Sequence, residues 1–158
     1  MSIFTHNTIR MTPDVDRRGA LGLLARSPAS LLTECLAGIG GLPPFTWLRK
    51  PETGMVMLRG RIGGDGARFN LGEATITRCT LRLADGTVGV GTVRGRSARQ
   101  AEMIALCDAM LQQPAVADRV RTDVLDILAD AERERNARAA AATAGSRVDF
   151  YVLVRGED

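Results

Sequence analysis

The sequence predicts a single α+β domain, with helices covering one face of a mostly antiparallel sheet of about four strands. Three observations predict it. Residues 14–36 and 97–144 repeat their apolar side chains at helical spacing, residues 55–94 switch to strand-like runs broken by glycine turns, and residues 148–155 alternate cleanly.

In chain order, residues 14–25 read as a helix, with Asp14 and Asp16 near its start and Leu21, Leu24 and Ala25 on its buried side. Arg26-Ser27-Pro28 interrupts it. Ser27 as N-cap and Pro28 at the first helical position are expected to open a second helix through Leu31, Leu32, Cys35 and Leu36. Gly38, Gly40 and Gly41 end that helix, and Pro43-Pro44 enforce an extended connection.

Residues 55–62 form the first predicted strand, closed by Gly63-Gly64-Asp65-Gly66, and residues 73–83 form the second. Within the second, Ala74 and Ile76 fall on one face but Cys79, Leu81 and Leu83 on the other, which implies a bulge or strong twist near Thr77-Arg78. Asp85-Gly86 makes a two-residue hairpin turn into a strand over 87–94, where Gly89 and Gly91 permit a neighbouring backbone to come close. Ser97 and Gln100 make a capping box for a helix to about residue 112. Its apolar residues cover more than one stripe, so it packs on two sides or lies in an interface. Pro114 starts a longer helix with Val116, Val120, Val124, Ile127 and Leu128 roughly one turn apart, and residues 129–144 continue it with weakly apolar residues. The final strand carries Val148, Phe150, Val152 and Val154 on one face.

Composition narrows the function classes. A chain of 158 residues, 45% hydrophobic, fits one domain over its whole length, with residues 1–12 read as a short disordered tail. No apolar run is long enough for a membrane span, and no secretory signal is visible. Cys35, Cys79 and Cys107 are far apart and odd in number, so they read as reduced thiols of a cytoplasmic protein. The single histidine, His6, lies in the tail, which argues against a histidine-based metal site or a Ser-His-Asp triad within the chain. One tryptophan and one tyrosine, well separated, make no stacking platform for nucleic acid.

Charge is unevenly placed. Residues 49–99 carry a net formal charge of +6 and residues 100–158 carry −4, and twenty of the twenty-one basic residues are arginine. Arginine suits phosphate or carboxylate partners, although a GC-rich genome produces the same bias. Arg59 and Arg61 share a strand face, Arg78 and Arg82 share one if no bulge intervenes, and Arg94 and Arg96 flank Gly95 before a helix N-terminus. These arginines read either as ligands of an anion or as solvated and inter-subunit side chains. The glycine-rich segment 63–66 has neither a Walker nor a dinucleotide signature, and a plain strand connection is the better reading. Glu102 complements a helix dipole, and Asp108 is placed to pair with an arginine. No self-contained active site is visible.

Several of these segments, in order, resemble the PhnG family of phosphonate metabolism proteins. Glu52-Thr53-Gly54-Met55-Val56 is similar to the family's ETGLV segment, and Arg61-Ile62-Gly63-Gly64-Asp65-Gly66-Ala67-Arg68-Phe69 to its R-x-G-G-T-G-x-x-F segment. Gly72 through Arg78, Leu81 through Thr87, Gly95-Arg96, Ala101-Glu102, Asp108 through Gln112, Ser146 through Phe150 and Val154-Arg155-Gly156 continue the resemblance. One departure is Gln100, where the family carries histidine before the alanine–glutamate pair. Glutamine can replace a histidine that caps or hydrogen-bonds, but not one that does chemistry.

The resemblance implies a subunit of the carbon–phosphorus lyase core complex, assembled with PhnH-, PhnI- and PhnJ-type subunits and linked functionally to a PhnL-type protein. That complex forms α-D-ribose 1-methylphosphonate 5-triphosphate from MgATP and methylphosphonate, releasing adenine. MgATP is then a substrate of the complex, and no cofactor is expected on this subunit. Two readings follow: a required but non-autonomous enzyme subunit, with Arg78, Arg96 and Glu102 as candidate site residues, or a purely structural interaction subunit.

Overall fold

The computed structural model describes residues 16–145. The tail and the strand expected over 148–155 lie outside the described residues. Within them, helices α1 (Arg17–Arg26) and α2 (Ala29–Ile39) precede strands β1 (Phe45–Arg61), β2 (Arg68–Leu83) and β3 (Val88–Arg94). Helices α3 (Ala98–Leu111) and α4 (Pro114–Val120) follow, and α4 runs through a π-helical turn, Arg121–Asp126, into α5 (Ile127–Ala144). The strands form an antiparallel sheet in the order β1-β2-β3.

Asp16 caps α1, its Oδ1 accepting from the Gly19 N–H at 2.7 Å. The link to α2 differs from the expected Ser27 cap. Ser27 is buried and donates backward to the Leu23 carbonyl at 2.7 Å, finishing α1, while Pro28 takes the N-cap position of α2 without a side-chain hydrogen bond. Gly40, at φ 82°, ends α2 in the left-handed region that favours glycine.

Both long strands exceed their sequence-based bounds. β1 begins at Phe45 and passes through Pro51, which falls within the register shift between Arg49 and Glu52, just after another at Trp47/Arg49. A proline is accommodated in an edge strand at such an irregularity because no ladder hydrogen bond is demanded of it. The bulge expected at Thr77-Arg78 is absent, since pairing to β3 runs without a shift from Ile76↔Arg94 to Arg82↔Val88. Thr77, Cys79, Leu81 and Leu83 all face the core, and Ala74, Ile76, Arg78 and Arg82 share the opposite face. Thr77 sits among apolar residues because its hydroxyl has partners. It donates to the Gly95 carbonyl at 2.7 Å and lies 3.2 Å from the Thr53 hydroxyl.

The β2–β3 hairpin turns at the expected place but through a three-residue loop, Ala84-Asp85-Gly86, rather than a two-residue turn, with Gly86 at φ 92° and its N–H on the Leu83 carbonyl at 3.0 Å. Leu83 N–H meets the Thr87 carbonyl at 2.9 Å, and Asp85 accepts from both the N–H and the hydroxyl of Thr87. On the core face of β3, Gly89 and Gly91 let α3 settle onto the strand. A Cβ at Gly91 would stand 1.9 Å from the Ala101 carbonyl oxygen, and one at Gly89 2.0 Å from that of Ala105. Helix α3 is thereby enclosed between the sheet and the outer helices, with every residue from Met103 to Met110 buried. Each large side chain withdrawn from water there, such as Ile104 or Leu106, stabilises by about 1.5–3 kcal/mol at most.

The π turn alters the face of the last helix. Val120, Val124 and Leu128 are fully buried as expected, but Leu125 is buried beside them while Ile127 is exposed. The extra residue in the turn rotates Ile127 outward and Leu125 inward.

Candidate functional site

The sheet presents two surfaces to whatever lies outside the chain. The face turned away from the helices, among the described residues, carries Arg78, Arg82 and Arg94, because strand alternation sends their neighbours Thr77, Cys79, Leu81 and Val93 into the core. Arg78 is not idle there. Glu52 stands directly opposite it on β1 and accepts from its Nε at 3.0 Å, with Arg49 Nη1 3.5 Å from the same oxygen.

Arg96 occupies the joint between β3 and α3. Gly95 is held on both sides, its N–H donating to the Thr75 carbonyl at 2.8 Å and its own carbonyl accepting from Thr77. At φ 93° this residue turns the chain out of the sheet, and Ser97 then caps α3 through the Gln100 N–H at 3.3 Å. Arg96 is exposed between these two anchored residues. Gln100 completes only half of the expected capping box. Its side chain is buried and donates instead to the Ser27 carbonyl at 2.9 Å, tying α3 to the α1–α2 joint. At this position the side chain acts as a hydrogen-bond donor to backbone.

Glu102 lies elsewhere. It is half-buried on α3 and lines, with Arg99, Thr33, Leu36, Met103 and Leu106 among others, a cleft of about 510 Å³ between α2 and α3. Arg78 on the sheet face turned away from the helices and Glu102 in the helical layer are therefore on opposite sides of the sheet, and the three candidates do not converge on one point.

The buried ionisable groups have structural partners. Asp108 is almost fully buried and accepts two hydrogen bonds from Arg17, both at 2.8 Å, and one from the Val90 N–H at 2.8 Å. Its hydrogen bonds raise the Arg17 guanidinium above its ordinary value despite some burial. The three thiols are free and buried, and desolvation pushes Cys79 up to about 11 and Cys107 up to about 12, far from thiolate chemistry at neutral pH. Among the described residues no group of His, Cys, Asp and Glu gathers to hold a metal ion, and no helix is long and apolar enough to cross a membrane.

The most exposed feature is one that the strand pattern understated. β3 pairs with β2 only from Ile76 onward, so beyond Thr75 the hairpin of β1 and β2 continues as a two-stranded ribbon. Seven strand and loop residues of this ribbon are large, apolar and exposed: Met55 at 69%, Ile62 and Leu71 at 65% each, and Val56, Met57, Leu58 and Phe69. Met55 and Met57 lie on one face and Val56 and Leu58 on the other. The signal was present in the sequence as four consecutive apolar residues, 55–58, which no one-sided strand requires. Past a register shift at Leu58/Arg59 the ribbon ends in Arg59, Arg61 and Arg68 around the glycine loop.

The family model described as "Phosphonate metabolism protein PhnG" matches residues 15–156. The chain belongs to the PhnG family. It is 44% identical over 144 residues, 90% of each chain, to the α-D-ribose 1-methylphosphonate 5-triphosphate synthase subunit PhnG of Rhizobium meliloti (strain 1021). Within this PhnG-family fold, the glycine-rich motif of residues 61–69 is the ribbon tip, and Gly95-Arg96 is the β3–α3 joint. Glu102 and Asp108 both lie on the enclosed helix α3.

Proposed function

We propose that this chain is the PhnG-type subunit of an α-D-ribose 1-methylphosphonate 5-triphosphate synthase, acting inside the carbon–phosphorus lyase core complex of the cytoplasm with PhnH-, PhnI- and PhnJ-type subunits and a PhnL-type protein. The observation that carries it is the likeness, at 44% identity across 90% of both chains, to a relative bearing that description. The ribbon supports a role in assembly. An apolar two-sided ribbon is not satisfied by its own domain and suits insertion into a partner subunit's apolar groove. MgATP and methylphosphonate are then substrates of the assembled complex, and this subunit supplies surface and anion ligands rather than a complete catalytic centre.

Arg78 and Arg96 are the proposed contacts to anionic groups at the synthase site, and Glu102, a carboxylate in the α2–α3 cleft, is a candidate site residue without an anion-binding role. Arg78→Gln and Arg96→Gln are to be made separately, checked for assembly by gel filtration, and followed by adenine release against MgATP concentration. Loss of one charge-assisted hydrogen bond raises the half-saturation point about tenfold or more. Parent-like turnover in both assembled variants would favour the purely structural reading. Assembly itself is tested with Met57→Glu and Leu71→Glu together. Both side chains are exposed in the lone chain, so thermal stability should hold while co-purification with the partner subunits is lost.

A further inference from the structure

We propose that the ribbon tip carries a polyphosphate-binding site formed by Arg59, Arg61 and Arg68. The geometry begins with the register. Arg61 stands directly opposite Arg68 and Arg59 opposite Asn70, so the three guanidinium-bearing side chains and the amide occupy one face of the ribbon. Like charges placed directly across a strand pair repel, and a ribbon with no other purpose would separate them or interleave a carboxylate. Neither is found. Among the described residues none of the three arginines makes an ion pair, whereas Arg119, Arg121 and Arg138 on the helices each meet an acid three or four positions away.

The arginines surround an open cavity of about 460 Å³, whose lining is Arg59, Gly60, Arg61, Gly64 and Arg68. Arg61 is already positioned, because its Nη1 donates to the Gly66 carbonyl at 3.1 Å and the Asp65 carbonyl at 3.4 Å. Two of the loop's amides are engaged within it, Gly64 N–H to the Arg61 carbonyl and Gly66 N–H to that of Ile62. The cationic donors lining the cavity are the three guanidinium forks, which suit phosphate oxygens two at a time. The cavity lining includes no aromatic ring for a base to stack on. Three cations and no stacking surface select a chain of phosphates rather than a whole nucleotide or a nucleic acid. The ligand class, a triphosphate, rests on the synthase-subunit reading; the site itself rests on the ribbon.

The test uses the full isolated chain and inorganic tripolyphosphate in a calorimetric titration at low salt. Saturable one-to-one binding is expected, weakening as salt is raised and weaker for orthophosphate. Arg61→Gln with Arg68→Gln should lower the affinity by at least about tenfold. The same pair should leave the unfolding midpoint close to the parent's, since the repulsion it removes offsets the two exposed Arg61 hydrogen bonds it also removes. Arg82→Gln with Arg94→Gln, on the body of the sheet, should bind as the parent does. Absence of saturable binding, equal affinity in the tip variant, or a loss produced by the sheet variant instead would each overturn the proposal. Co-purification with the partner subunits is scored separately. A chain that assembles yet takes up no tripolyphosphate refutes the tip site alone, and one that binds tripolyphosphate but never assembles refutes the subunit reading alone.

Discussion

Gly91 shows how tightly one residue can constrain this molecule. Its hydrogen atom occupies space that a methyl group would have to share with the Ala101 carbonyl oxygen, 1.9 Å away. The obstruction is backbone in a buried helix, so no rotamer change relieves it. Gly91→Ala is expected to cost at least about 3 kcal/mol, read as a lowered denaturant midpoint at unchanged slope. Asp108 constrains in another currency. Its carboxylate joins α1, β3 and α3 through Arg17 and the Val90 N–H. Asp108→Asn keeps the shape but removes the charge and offers one acceptor where two were used. A loss of about 2–3 kcal/mol is expected in the same measurement. A near-neutral result would mean that Arg17 and Val90 find water or another acceptor.

At the scale of elements, the Arg26–Glu132 pair ties the end of α1 to α5, with Nε to Oε1 at 2.7 Å. The hydrogen bond from Arg26 holds the Glu132 carboxyl below its ordinary value of 4.5, against a smaller opposing effect of burial. A depressed carboxyl contributes stability that is fully present above its unfolded value and is lost as pH falls through the lower folded one. Stability should therefore decline on acidification below about pH 4.5, and Glu132→Gln should flatten part of that decline in unfolding midpoints measured between pH 7 and 3. Because Arg26 is largely exposed, the share is below about 1 kcal/mol.

The elements also differ in how readable they were. Helix α3, the Asp85-Gly86 turn and the two β3 glycines followed from local rules, because each rests on capping, a positive φ or the lack of a side chain. The first half of β1 did not. Lys50, Pro51, Glu52 and Gly54 break its alternation, and only pairing with β2 makes it a strand. Thr77 misled in the opposite sense, since a buried hydroxyl looks like a change of face until its acceptor on Gly95 is seen. Ile127 and Leu125 exchanged places because a π turn has no signature in apolar spacing. Of the candidate site residues, the sequence put Arg78 on a strand, Arg96 before a helix N-terminus and Glu102 on that helix, but did not say on which side of the sheet each lies. Distance across the sheet depends on which face the helices cover, a property of the whole fold.

For the molecule as a whole, the expected behaviour of the purified lone chain is catalytic silence. It should neither hydrolyse ATP nor release adenine, because its buried acid is committed to Arg17 and Val90, Cys79 and Cys107 are held protonated, and the candidates Arg78, Arg96 and Glu102 do not converge on one point. Adenine release that scales with the concentration of the highly purified chain would overturn this. The three thiols have a second consequence, as internal clocks. Cys35 sits on α2, Cys79 on β2 and Cys107 on α3, one in each layer of the fold. Cys35 retains 8% exposure at a surface pocket and meets an alkylating reagent first, whereas Cys79 and Cys107 meet it only when their layers open, and their protonated state slows the reaction further while the structure is closed. Labelling of Cys35, Cys79 and Cys107, resolved by peptide mass over time, would rank how often each layer breathes. Insertion of the ribbon into a partner should slow the Cys79 clock most, since β2 is the strand that runs from the core out into the ribbon.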